Sequence, residues 1–444
     1  MVRRSNWRAN PLMSASSQRR RIAVIGSGIS GLSCAHVLGP QHDVVLFEAD
    51  RRLGGHSHTV DVDDPGAGCL AIDTGFIVHN ARNYPNLVRL FRELDVTTVD
   101  TEMSFAVTDR DPVSPTAGFT YRATSLSSLF ADRRNITRLT MWKMLMEIGR
   151  FYRRARNLLD DPDPSISLDE FLDVNRFSRD FIELHLRPMG AAVWSADPST
   201  FGEFPAVTLL TFLKNHGLLG LSGRPQWRTI PGGSRMYVDA LASRFAGQIR
   251  LSSPVTGVER TATGTVNVST MHGADEFDAV VLAVHSDQAL AMLARPTTAE
   301  RATLGAIRYQ RNRATLHTDT TLLSPARKAW AAWNYDRRGH DQKEATLTYD
   351  MTALQHLAGS RRYLLSLNSD EYIDPASMLA TIDYAHPVFD RAAIEAQQQF
   401  AAIDGVGGIH FCGAWWGHGF HEDGITSALR VCERLGVPWT ATER

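Results

Sequence analysis

Gly26, Gly28 and Gly31 are spaced as G-x-G-x-x-G, and Glu48 follows at about the distance, roughly 20 residues, of an acid that holds a ribose. Together these residues can bind a dinucleotide. The first glycine permits a tight turn, the second lets backbone approach a pyrophosphate, and the third lets helix and strand pack closely, with the phosphates at the positive end of the helix. That chemistry requires strand, turn, helix, strand and acid in this order. Apolar residues 22–25 read as a strand, residues 32–38 as a helix, and residues 43–47 as a second strand ending at Glu48. The unit by itself admits a nicotinamide or a flavin dinucleotide.

Gly54 and Gly55, close behind Glu48, tilt the choice. FAD lies extended, so its pyrophosphate and ribityl chain need another close backbone approach, which a double glycine permits. A further strand and glycine turn follow at residues 70–75. No second G-x-G-x-x-G follows a strand downstream, so no dedicated nicotinamide domain is expected. Ser/His/Asp order, P-loop and H-E-x-x-H are absent. His56-x-His58 and His418-x-x-His421 lack a full ligand set, and no metal is expected.

Composition narrows the class. A chain of 444 residues exceeds one compact core and suggests two domains. With 47 basic against 48 acidic residues, nothing global points to nucleic acid. No run approaches the ~18 apolar residues of a membrane span. Cys34, Cys69, Cys412 and Cys432 show neither CxxC pairing nor metal spacing, which fits reduced thiols in a cytoplasm. Residues 1–20 form a basic leader without the apolar stretch of a secretory signal. It reads as disordered, or as an over-long start before Met13, with a patch for anionic lipid as the sharper alternative.

Residues 84–94 turn helical through Leu87, Leu90, Phe91 and Leu94, and 96–107 read as strands, where the chain enters a second domain. Residues 126–159 read as mostly helical, with Trp142, Leu145, Met146, Ile148 and Phe151 on apolar positions and a basic face opposite. Residues 160–164 form a turn, and 167–170 look like a capping box. Residues 204–227 are very apolar but interrupted by Lys214, Asn215 and His216; core, a greasy cavity wall and a membrane-surface segment all remain open. A helix is expected over 236–245, strands near 249–251, 254–259, 266–268 and 277–284, and further strands over 313–320, 345–351 and 362–367. Trp330, Trp333 and Tyr335 lie among these and suit either a pocket wall or core. A strand and glycine turn over 408–416 precede a helix expected to begin near 424.

The run from Glu48 and Ala49 through Arg52 to Gly54 and Gly55, followed by Asp73-Thr74-Gly75, resembles the flavin-containing amine oxidases and phytoene-desaturase-like enzymes. GGHSHTVDV, IDTGFIVHNARNYPNL, TFLKNHGLL, QWRTIPGGSRMYV and FCGAWWGHGFHEDG are similar to a bacterial subgroup that accompanies cyclopropane-fatty-acid-synthase-like methyltransferases. The resemblance implies an α/β fold: a Rossmann-like FAD-binding domain at 21–80, 229–290 and 405–440, and a discontinuous α+β substrate domain at 81–228 and 291–404. It implies FAD as cofactor, held by Gly26, Gly28, Ser30, Gly31, Glu48, Ala49, Arg52, Gly54, Gly55, His56, Thr74, Gly75, Phe76, Val255, Gly413, Asp423, Gly424, Ile425 and Thr426. In that likeness Val255 meets the adenine end. The helix near 424–427 points at flavin N1 and O2, with Asp423 on the ribityl or phosphate side.

His56 stands where many amine oxidases carry Arg, so the electrostatics at the flavin should differ. His56, His79 and His421 are candidate proton donors or acceptors, since histidine is poised near neutral pH; structural hydrogen bonding is the plainer alternative for each. The leading expectation is hydride transfer between flavin N5 and an unsaturated or methyl-branched fatty-acyl substrate. Amine oxidation, double-bond isomerisation and a non-catalytic FAD-binding protein are the alternatives. Expected partners are a small-molecule or lipid substrate, a methyltransferase and the inner membrane face, with no nucleic acid.

Overall fold

The computed structural model describes residues 19–123, 126–194, 201–220, 223–339 and 345–440. Apolar runs without alternation form strands buried on both faces, as parallel sheets require. Gln248–Arg250, Asp43–Phe47, Arg21–Ile25, Ala279–Leu282 and Ile409–Phe411 lie in that order in one five-stranded sheet, each neighbour parallel. Ile22, Ala23, Val24 and Val280 to Leu282 at its centre are wholly buried. The first crossover is the helix Ile29–Leu38, buried over nearly its whole length and packed against the C-terminal helix His421–Arg434.

A second, seven-stranded sheet has the order Met378–Val388, Arg308–His317, Leu364–Leu367, Leu347–Asp350, Trp333–Arg337, Phe105–Asp109 and Thr120–Arg122. It is antiparallel except where Trp333–Arg337 meets Phe105–Asp109. Thr59–Asp64 and Gly68–Asp73 form a hairpin, and short strands at His79–Asn80, Trp227–Thr229 and Val99–Thr101 tie distant segments together. The structure is mixed α/β, as the sequence implied.

Two expectations about helices are corrected. The mostly helical stretch from 126 consists of a short helix, a 3₁₀ turn and the long helix Leu139–Asp160, and it is the apolar face of the last that differs from expectation. It buries Met141, Met144, Phe151 and Ala155, while Trp142 and Met146 face outward. Spacing explains this: 141, 144, 148, 151 and 155 keep the 3.6-residue repeat, and 142 and 146 fall on the opposite side. The C-terminal helix begins at His421, one turn earlier than expected. Phe420 precedes it, and the Asp423 carboxylate accepts from the Phe420 N–H (2.9 Å), closing the first turn before Gly424.

Residues Ala206–Asn215, within the apolar 204–227 stretch, are a helix whose Leu209, Leu210, Phe212 and Leu213 are buried against Phe171, Phe181, Trp194 and Phe201. Their apolar side chains point inward, not to a surface. Ser167 and Glu170 form the anticipated capping box. Cys34, Cys412 and Cys432 are free thiols that meet in the core, with Cys34 Sγ 3.9 Å from Cys412 and 3.8 Å from Cys432. Such a meeting of residues far apart in the chain leaves no local signal.

Met144→Ala should lower the thermal unfolding midpoint, corresponding to a loss of about 2–5 kcal/mol from transfer and cavity terms. Met146→Ala should stay within about 0.5 kcal/mol of the parent, because its side chain is in solvent. Differential scanning calorimetry compares them, and an equal loss at both positions would refute the assigned face.

Candidate active site

The parallel strands end their C-termini at a cavity of about 900 Å³, near the upper end of the ~300–1,000 Å³ of ligand sites. Gly26, Gly28, Ser30, Glu48, Ala49, Gly54, Gly55, His56, Thr74, Gly75, Phe76, Val255, Gly413 and His421 all line it. Segments distant in sequence thus meet in one wall.

Gly26 has φ +97°, and a Cβ on Gly31 would lie 1.8 Å from the Gly26 carbonyl oxygen, so the turn closes only with hydrogen at both positions. A Cβ on Gly28, by contrast, would find nothing within 4 Å. The helix Ile29–Leu38 starts here without a side-chain cap and without an acidic residue in its first turn. Its free N–H groups therefore remain for an anion. Glu48 sits at the end of its strand, with Oε2 accepting from the Ser27 N–H (2.9 Å) and hydroxyl, and Oε1 from the Asp50 N–H (2.8 Å).

Seven proposed site residues stand off the cavity wall. Gly31 packs on Gly26. Arg52 braces the double-glycine loop from behind, donating to the carbonyls of Leu53, Gly55 and Ser57 at 3.2, 2.8 and 3.4 Å. Gly424 meets Ile29 and Ser30 at the crossing of the first and last helices. Ile425 is core, and Thr426 is on the outer face near Asn86. Asp423 caps its own helix, and Glu422 caps the helix Pro85–Glu93 through the N–H groups of Asn86 and Leu87, both at 3.0 Å. His79 is 1% exposed, edge-on to Phe91 at 5.1 Å, with Nδ1 unpartnered.

The remaining histidines define the polar part of the wall. His421 stacks on Phe76 at 3.8 Å, and its Nε2 meets the hydroxyls of Ser57 (2.9 Å) and Tyr237 (3.1 Å). His56 stacks on Tyr384 at 4.8 Å, with His386 at 5.4 Å and His285 at 5.9 Å; its buried Nε2 has no partner. None is poised near neutral pH, contrary to expectation. Burial pushes His421 down to about 3 and His79 and His386 to about 4, and it lowers His56 strongly, reinforced by His386 and His285. The imidazoles are neutral.

His285, Tyr309, Tyr384 and His386 were not anticipated, and neither were the apolar cavity residues Trp194, Leu365 and Leu367. Only the register of the large sheet brings most of them together. His386 is fixed by a directional relay. The Arg313 N–H meets Asn368 Oδ1 (2.9 Å) and the Ala345 carbonyl meets Asn368 Nδ2 (3.3 Å), which sets that amide's orientation. Asn368 Nδ2 then donates to Asn312 Oδ1 and Asn312 Nδ2 to His386 Nδ1, each at 2.8 Å. Because Nδ1 must accept, the neutral ring carries its proton on Nε2. Of the three anticipated aromatics, Trp333 lines the cavity, Tyr335 is core, and Trp330 lies under Arg362.

The chain belongs to the flavin containing amine oxidoreductases, whose family model matches residues 29–355. The family is one of FAD-dependent oxidoreductases. Cyclohexylamine oxidase from Brevibacterium oxydans IH-35A is 16% identical with a TM-score of 0.66, over 94% of this chain and 100% of that one. The CLA-producing fatty acid isomerase from P. acnes is 14% identical with a TM-score of 0.66, over 95% of this chain and 99% of that one. At these identities the likeness is one of fold. An L-amino-acid oxidase from Sistrurus catenatus edwardsii is 42% identical over 53 residues, 12% of this chain. The match spans about a tenth of the length of the curated relatives.

The residues fit FAD. An uncapped helix N-terminus, an open face at Gly28 and an acid at a strand end suit its diphosphate and ribose, and the glycine loop at 54–55 continues the wall.

Two measurements follow. Folded-state pKa values of about 3–4 at His79, His386 and His421 lie below the 6.5 of the unfolded chain, so the unfolded state binds more protons between these limits. Stability should therefore fall as pH drops from 6.5 toward 4. Asp73, raised to about 6 by burial, works the opposite way, as do the raised Asp336, Asp350, Glu422 and Asp423, but the lowered histidines outnumber them. His79→Phe should flatten this acid slope, by up to about 3 kcal/mol at pH 4; thermal midpoints across pH check it. Separately, ¹⁵N-histidine NMR should show His386 as the Nε2–H tautomer at pH 7, and an Nδ1–H signal would refute the relay.

Proposed function

We propose that this oxidoreductase acts on an apolar, fatty-acyl substrate. The carrying observation is the wall beyond the glycine loops: Trp194, Phe212, Leu218, Trp333, Leu365 and Leu367 face the same cavity as the cofactor loops. Among the described residues the carboxylates lining it are Glu48 and Glu102, and both are engaged. Glu48 holds the Ser27 turn, and Glu102 pairs with Arg122 at 2.9 Å and accepts from Ser104. A substrate amine would enter this space with no free carboxylate to receive it, whereas an acyl chain would shed water against aromatic and aliphatic surface.

Bound FAD supplies the two-electron centre that takes or gives hydride at N5. Around it the chain contributes neutral groups. His386 offers an N–H donor, His56 an unpartnered ring nitrogen, and the Ser57–Tyr237–His421 cluster a set of hydroxyl and imidazole protons. With no ionised side chain other than those two engaged acids and Arg224 on the described wall, the site suits transfer of hydride at carbon better than capture of a charged group. The apolar surface excludes water from the reacting carbon.

Amine oxidation is the second reading. The family match favours it, and Trp227, Trp333 and Tyr349 offer aromatic faces that can attract a cation.

Anaerobic mixing of the holoprotein separates these. Unsaturated or methyl-branched phospholipid or fatty acid should bleach the flavin absorbance, and a panel of mono- and diamines should not. Bleaching by an amine alone would sink the acyl reading; a shifted double bond without net bleaching would assign isomerisation. Leu218→Glu should lower kcat/KM for the acyl substrate about tenfold to a hundredfold, through an unpaired carboxylate in the apolar wall, while FAD stays bound.

A further inference from the structure

The Leu139–Asp160 helix carries a second pattern on its outer side. At 3.6 residues per turn, Leu139, Trp142, Lys143, Met146, Arg150 and Arg153 fall within a sector of about 100°, opposite the buried face. Leu139, Trp142 and Met146 are 65%, 47% and 68% exposed, and Ile136 in the preceding turn is 54% exposed. These are large apolar groups in contiguous turns, not scattered single residues. Trp142 is held in place: its Nε1 donates to the Ile136 carbonyl (2.9 Å) and its ring lies 5.5 Å from Phe130.

The charge on this side is predominantly basic, with Asp132 at its start paired to Arg134. Between 133 and 156 the chain has eight basic residues and one acid, Glu147, which is taken up by Arg150 and Ser178. Lys143, Arg153 and Arg154 have no carboxylate partner among the described residues. A solvated face accounts for the bases but leaves Leu139, Trp142 and Met146 in water for no return. A surface that takes both is an anionic bilayer: apolar side chains and an indole enter the headgroup boundary, while Lys and Arg stems reach the phosphates. No helix among the described residues is long and apolar enough to cross a membrane, so this helix would lie on the surface.

We propose that the outer face of the Leu139–Asp160 helix, with Ile136, docks the protein on anionic phospholipid. It complements the acyl-substrate reading by bringing the cavity to where acyl chains are concentrated. Binding is read without turnover, so the two stand or fall separately.

Vesicles of phosphatidylcholine alone and of an equimolar mixture with phosphatidylglycerol test it, by co-sedimentation with the full-chain holoprotein at low and high salt. Binding to the mixed vesicles, weakened by salt and absent from pure phosphatidylcholine, is expected. Lys143→Gln and Arg153→Gln should each weaken it about fivefold. Met146→Glu combined with Trp142→Ala should weaken it at least tenfold. All four substitutions are at exposed positions, and flavin absorbance with an unchanged thermal midpoint verifies folding. The basic leader is present in every variant, so a loss assigns binding to the helix. Failure to bind the mixed vesicles, binding indifferent to these variants, or a dimer in solution that the double variant dissolves would each overturn the proposal.

Discussion

Backbone packed on backbone is the constraint on which this enzyme's architecture rests. The turn after the first strand, the loop at 54–55 and the end of the Gly68–Asp73 hairpin touch through main-chain atoms. A Cβ on Gly55 would stand 3.1 Å from the Gly28 Cα, and one on Gly75 would stand 2.1 Å from the His56 carbonyl. With no side chains between them, these three segments form one continuous wall. The polar groups behind that wall are satisfied by direct hydrogen bonds, local ones from Arg52 to the loop carbonyls and long-range ones from Ser234 and Gln355 to Asp73, which also accepts from Thr59. Side chains from elsewhere then need only complete the cavity.

That arrangement explains what could be read from sequence. The glycine turn, the strand acid and the double glycine are contiguous, and their steric requirements can be met by few residue types, so residues 21–75 announced themselves. The parallel strands were legible for a similar reason: a buried strand such as Ala279–Leu282 has to be apolar on both faces. The rest was hidden by geometry. His386 and Asn312 approach only because Arg308–His317 and Met378–Val388 pair in a given register, with Asn312 opposite Tyr384. In the last helix, Gly424 resembles a cofactor glycine in sequence yet serves a helix crossing against Ser30. A residue type compatible with two roles does not reveal which one the fold has chosen.

The histidines illustrate how burial converts a titrating residue into a fixed dipole. His56, His386 and His421 lie among aromatic rings with no carboxylate to stabilise the charged form, so each remains neutral. What the site gains is direction. A neutral imidazole whose tautomer is set by a chain of amides presents the same atom to every ligand, and it needs no proton exchange with solvent to do so.

The five-stranded sheet joins residues 21–25 to residues 409–411 through the strand at 279, with the strands at 43 and 248 on the other side. Its strand order is therefore not its order of synthesis. At roughly 5–20 residues per second, translation places on the order of 20 to 80 s between the first strand and the last. Until residues 248–250 and 279–282 have emerged, the Arg21–Ile25 and Asp43–Phe47 pair has unpaired apolar edges, with the hairpin at 59–73 complete beside it. The nascent chain must thus keep a sticky half-sheet from self-association, and the cofactor groove acquires its final wall only after Gly413 has emerged.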